Sequence, residues 1–153
     1  LIEADKRKES VQLLYRNEMF SVPANLYIIG MMNTADRSLA LIDYALRRRF
    51  SFFPMKPAFD SEGFRAYQKG LNNRKFDKLI GTVVALNEAI ASDDSLGPGF
   101  RIGHSYFCEL KNVTDGILKE IVEYEIIPIL REYWFDEPKN VQKWTDALRA
   151  AIK

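Results

Sequence analysis

The chain has 153 residues, 47% of them hydrophobic and 28% charged, with a formal net charge of +1. That balance belongs to a soluble globular chain with room for one ordinary domain or two small ones; it excludes a disordered or fibrous polymer and gives no global charge argument for nucleic acid. Cys108 is the sole cysteine, which excludes an intramolecular disulfide framework and a thiolate metal site and fits a reducing, cytoplasmic setting.

Residues 1–20, "LIEADKRKESVQLLYRNEMF", are too charged for a secretory signal, and no apolar run approaches the ~20 residues of a membrane span. The chain begins at Leu rather than Met, and its first residues read as the tail of a helix. We therefore expect a piece of a longer protein. The stretch from Ser10 to Val22 has the texture of one or two short strands. Leu26 to Met32 is a continuous apolar run following the turn-like "VPAN". Continuity without alternation predicts a strand buried on both faces, as in a parallel α/β sheet. Such a strand needs neighbours, so the expectation extends to further strands upstream of Leu1.

The run ends in "NTADRS", Asn33 to Ser38. In open α/β sheets, ligands bind beyond the carboxyl ends of the strands, where Asn33 would sit. Its amide both donates and accepts, so it suits a group that orients a water while touching a phosphate oxygen. The alternative is an Asx-type turn in which Asp36 or Ser38 caps the next helix. That helix is predicted from Leu39, Ile42, Leu46 and Phe50 at helical spacing, and it ends in Arg47, Arg48 and Arg49. Three cations there have three readings: partners of the helix dipole, a phosphate-backbone patch, or an arginine finger reaching a nucleotide in a neighbouring subunit.

"SFFPMKPAF" is an extended connector, because Pro54 and Pro57 forbid regular structure. Beyond it the pattern turns helical. Ser61 is placed to cap a short helix carrying Phe64 and Tyr67, and Phe76, Leu79, Ile80, Val83, Val84, Leu86 and Ile90 make an amphipathic stripe. A loop follows over "SDDSLGPGF", and then "GPGFRIGHSYF", Gly97 to Phe107, where Arg101 is suited to an anion by its forked guanidinium. His104, the only histidine, carries any histidine chemistry or else is a satisfied structural residue. A third stripe runs from Ile117 to Leu130 with a kink expected at Pro128, and Asp136 is placed to cap a last helix carrying Val141, Trp144, Leu148 and Ile152. The chain contains neither a Gly-x-x-x-x-Gly-Lys-Ser/Thr loop nor an apolar run ending in adjacent acids that would hold magnesium.

"YIIGMMNTADRSLALIDYALRRRF" followed by "GFRIGHSYF", with "IEADKR" before and "REYWFDEPKNVQKW" after, resembles the McrB family of AAA+ GTPases from modification-dependent restriction systems. The resemblance implies an α/β fragment of a P-loop AAA+ core over residues 1–57 and an all-α helical lid over residues 58–153, predominantly helical overall. It implies that Asn33 is the first sensor residue, that Asp36 and Arg37 complete the family signature, and that Arg48 and Arg49 hold the finger position. Arg101 falls where a second sensor would be expected. It further implies GTP and Mg2+ as ligands of the full protein, a hexameric ring, a McrC-like endonuclease partner, and 5-methylcytosine DNA read through a separate amino-terminal domain. The piece by itself, lacking the phosphate loop and the magnesium-binding acids, is expected to be inactive. Two other readings stand beside this one: an AAA+ ATPase of another branch that remodels proteins, and a stand-alone helical DNA-binding module.

Overall fold

The computed structural model describes residues 2–33 and 44–153. Two compact units emerge, Leu1–Pro54 and Met55–Lys153.

In the first unit a short 3-10 turn, Ala4–Lys6, leads into a hairpin of β1 (Ser10–Gln12) and β2 (Met19–Ser21). The strands run antiparallel with Val11 opposite Phe20. Asn17 closes the connection in the left-handed region (φ 51°), a conformation Asn tolerates better than most residues. Arg7 Nη1 donates to the carbonyls of Ala24 and Leu26, tying the amino-terminal turn to the start of the apolar run.

That run is not a strand. Leu26 to Met32 has no regular structure, and Ile29 and Met31 are 92% and 98% exposed. A strand buried on both faces exists only between paired neighbours, because its N–H and C=O groups otherwise turn to water. Among the described residues only β1 and β2 pair, and they pair with each other. Helix α1 (Tyr44–Arg47) is the described end of the predicted helix, while Leu39, Ile42 and the proposed caps Asp36 and Ser38 lie outside the described residues.

The second unit is helical, and its boundaries follow from local chemistry. Helix α2 (Glu62–Leu71) starts where Ser61 Oγ accepts the Phe64 N–H at 3.2 Å. It stops at Asn72, which turns left-handed at φ 47°. The next residue starts α3 (Arg74–Ser92): Asn73 Oδ1 accepts the N–H groups of Lys75 and Phe76, both at 3.0 Å. One asparagine pair thus ends one helix and begins the next.

The apolar stripe of α3 is the spine of the core. Phe76, Leu79, Val83, Leu86 and Ile90 are fully buried, while Val84 at the edge of the stripe is 39% exposed. At about 1.5–3 kcal/mol for each large apolar side chain, this stripe outweighs any single polar contact in the unit. Across from it lie Phe107, Leu118, Val122, Ile126, Leu130, Trp134 and Leu148.

Helix α4 (Asp115–Glu120), capped by Thr114, runs into a π-helical turn over Ile121–Ile126 and then α5 (Ile127–Tyr133). The expected proline kink is this widening. Pro128 has no N–H to give the Tyr124 carbonyl, and just before it the ladder shifts to i→i−5, with Ile127 N–H bonded to the Val122 carbonyl. Helix α6 (Pro138–Ala151) packs along α3 and α5, and Pro138 occupies its first turn as expected. Its cap position belongs to Glu137 rather than Asp136, and no side chain caps it. No helix among the described residues is long and apolar enough to cross a membrane.

Candidate functional site

The candidate residues fall in both units, and each group is described within its own. Asn33 is exposed directly after the apolar run. Asp36 and Arg37 lie outside the described residues. Arg47 closes α1, and the N–H groups of Arg49 and Phe50 both fold back onto the Leu46 carbonyl, at 3.0 and 3.2 Å. This turn carries Arg48 and Arg49 together on an exposed surface. Arg49 Nε donates to Glu3 Oε1 at 2.9 Å, with both side chains more than a third exposed. An ion pair so wetted contributes about 0–1 kcal/mol.

In the second unit the segment after α3 is built around Arg101. Gly97 takes φ 85°, a backbone that L side chains rarely adopt, and Pro98–Phe100 forms one 3-10 turn leading to Arg101. The next residue is clamped from α3. Asn87 Oδ1 accepts the Ile102 N–H at 2.6 Å, and Asn87 Nδ2 donates to the Ile102 carbonyl at 2.9 Å. Both residues are buried. In that low-dielectric setting the pairing matters chiefly because breaking it would orphan two backbone groups, at about 1–3 kcal/mol each.

Glu88, one residue further along α3, stands 3.6 Å from Arg101 Nη2. The Arg101 side chain is only 20% exposed, and its Nε is buried without a hydrogen-bond partner among the described residues. A buried guanidinium N–H left unpaired costs about 1–3 kcal/mol or more, so native proteins rarely keep one without a use.

His104 has a structural role. Its Nδ1 accepts the Ala58 N–H at 3.1 Å, and its ring meets Phe59 and Phe64 edge-on at centroid distances of 6.2 and 6.0 Å. With Nδ1 occupied as an acceptor, the neutral ring carries its proton on Nε2. Cys108 Sγ contacts the His104 carbonyl at 3.3 Å, and burial pushes its thiol above the usual range, away from the reactive thiolate.

Two polar anchors escaped the reading of the sequence. Asn87 is one, and its signal was a single amide set between Val83 and Ile90 on an otherwise apolar stripe. The other is Asp93, which accepts from the Trp134 indole Nε1 at 2.7 Å and from Ser95 Oγ at 2.6 Å. These bonds hold its carboxyl below the usual carboxylate range, Ser95 contributing most and Trp134 next. Only the loop-like composition around Asp93 was visible in the sequence; its partner lies 41 residues away.

Among proteins of known kind, the Escherichia coli (strain K12) protein described as "Type IV methyl-directed restriction enzyme EcoKMcrB subunit" is 49% identical over 165 aligned positions. The match takes in 97% of this chain. Residues 78–142 also match the family model described as "McrB, alpha-helical lid domain". The chain belongs to the McrB family. The McrB lid match begins within α3 and ends within α6, so the Asn87–Ile102 clamp, Arg101 and His104 all lie inside it. The chain spans about a third of the length of the McrB subunit it matches (35%).

Proposed function

We propose that the chain is the carboxy-terminal part of the motor module of a McrB-like AAA+ GTPase, whose hydrolysis powers DNA translocation and cleavage by a restriction complex directed at 5-methylcytosine. The observation that carries this is the extent of the similarity. It covers 97% of the chain, too much for the six-residue "NTADRS" cluster or the lid to fall wholly outside it.

In this reading each group of residues has one task. The Asn33 amide orients the attacking water against the terminal phosphate, and Asp36 and Arg37 order the loop around it. Arg48 and Arg49 reach the nucleotide held by the neighbouring subunit of a hexameric ring, where their charge offsets the negative charge developing on the transferred phosphoryl group. Arg101 brings a phosphate contact from the lid. Its guanidinium fork, 3.6 Å from the exposed Glu88 carboxylate, suits an anion of this kind. The chain has no apolar run ending in adjacent acids, so the magnesium accompanying GTP would be held elsewhere in the full protein, and the 153-residue piece alone would not turn over GTP. A McrC-like endonuclease subunit would be the partner, and methylated DNA would be read by a separate domain.

Mixed rings test the finger. Arg49→Ala subunits of the full-length protein are combined with subunits whose phosphate loop is inactivated. Recovery of GTP hydrolysis in the mixture is expected, because an intact Arg49 then faces an intact phosphate loop across the interface. A mixture as inactive as its components would reject action between subunits.

A further inference from the structure

Helix α3 grips the Arg101 segment at two successive residues. Asn87 holds both backbone groups of Ile102, at 2.6 and 2.9 Å, and Glu88 faces the Arg101 guanidinium at 3.6 Å. A buried amide on the stripe of a helix is costly to keep. Here both of its bonds converge on the residue beside Arg101 and on no other. The backbone at Ile102 is thereby tied to the fully buried stripe of α3, and Arg101, whose Nε has no hydrogen-bond partner among the described residues, projects from that fixed point.

We infer that Asn87 is a positioning residue for the nucleotide: by clamping both backbone groups of Ile102 it aims the Arg101 guanidinium at the phosphate, while Glu88 holds the same guanidinium until a phosphate displaces it. This rests on the assignment of Arg101 to the nucleotide made above. Asn87 touches no ligand itself and acts through Arg101. Glu88 is a weak holder, being 72% exposed and beyond close hydrogen-bond distance, so a multiply charged phosphate outcompetes it.

The test is a double-mutant cycle in the full-length protein, reading the KM for GTP alongside far-UV circular dichroism. Arg101→Ala is expected to raise KM by about tenfold or more, the scale of a lost hydrogen bond between charged groups. Asn87→Ala should raise it nearly as much at a temperature where the dichroism is unchanged. Added to Arg101→Ala, however, it should change KM less than about twofold, because residues acting through one another are not additive. Asn87→Ser, which keeps a small hydroxyl in the cavity, serves as the milder variant and should show the same lack of additivity. If Arg101→Ala leaves KM unchanged, the nucleotide assignment of Arg101 fails and the clamp proposal falls with it. If Arg101→Ala weakens binding but Asn87→Ala is silent, or multiplies with it, only the clamp proposal is overturned. Unfolding of both Asn87 variants would assign the clamp to the fold alone and overturn the proposal as well.

Discussion

Replacing Trp134 by Phe should produce a pH-dependent loss of stability in the helical unit. Trp134 is 2% exposed, and its indole Nε1 donates to Asp93 at 2.7 Å. A hydrogen bond to a carboxylate contributes about 1.5–3 kcal/mol. Asp93 is half-buried and keeps Ser95 and Leu96 as donors, so the lower end applies. The smaller ring adds about 1 kcal/mol, a fraction of the 3–5 kcal/mol for complete removal of a buried aromatic. The sum is about 2.5 kcal/mol at neutral pH.

The sign of the pH effect follows from the depressed pKa of Asp93. A carboxylate held below its unfolded value stabilises the fold above that value, and the contribution is lost as pH falls through the folded one. As pH falls below the ordinary Asp value, the difference between wild type and Trp134→Phe should therefore shrink. Urea unfolding of the 153-residue chain, followed by far-UV circular dichroism at each pH, measures both quantities. A loss below about 1 kcal/mol at neutral pH, or one that does not change with acid, would refute the reasoning.

Three further outcomes are expected from the same unfolding assay. Ser61→Ala removes the only side-chain cap of α2 and should cost about 1 kcal/mol; a neutral result would show that Phe64 packing alone sets the helix start. Leu86→Ala opens a cavity in the fully buried stripe of α3 and should cost about 2–5 kcal/mol, whereas a loss under 1 kcal/mol would contradict its central place. Arg149→Met removes the two-point pair with Glu123, 2.6 and 2.7 Å long, which holds Glu123 below the usual carboxylate range. Its destabilisation should be largest at low salt above the carboxylate range and should fade with added salt or acid; a salt-independent loss would mean that packing of the arginine stem is responsible.

The helical unit was legible where local rules decide the structure. The period of the α3 stripe and the Ser61 cap act over a few residues, and both appear as expected. Pro128 was legible as a disturbance but not as its form, because a missing N–H is relieved by a kink or by a wider turn according to what packs around it. Asp136 was the expected cap by residue type, but Pro138 is the first helical residue, which puts the cap position at Glu137, one residue later. Leu26 to Met32 read as a buried strand because pattern reports what a segment prefers to bury and not whether partners are present to cover it. Among the candidate residues, Arg101 and the run from Arg47 to Arg49 stand out by residue type, while the choice of Arg48 and Arg49 within that run rests on the family resemblance. The Asn87 clamp was not, since it joins residues 15 apart through a geometry that no spacing rule encodes.

The most direct measurement is GTP hydrolysis by the full-length protein, together with its endonuclease partner, before and after Asn33→Ala. GTP should be turned over in preference to ATP, and the substitution should lower that turnover by at least about tenfold, equivalent to ~1.4 kcal/mol of lost transition-state stabilisation. Turnover of ATP over GTP, or a loss smaller than tenfold, would contradict the account.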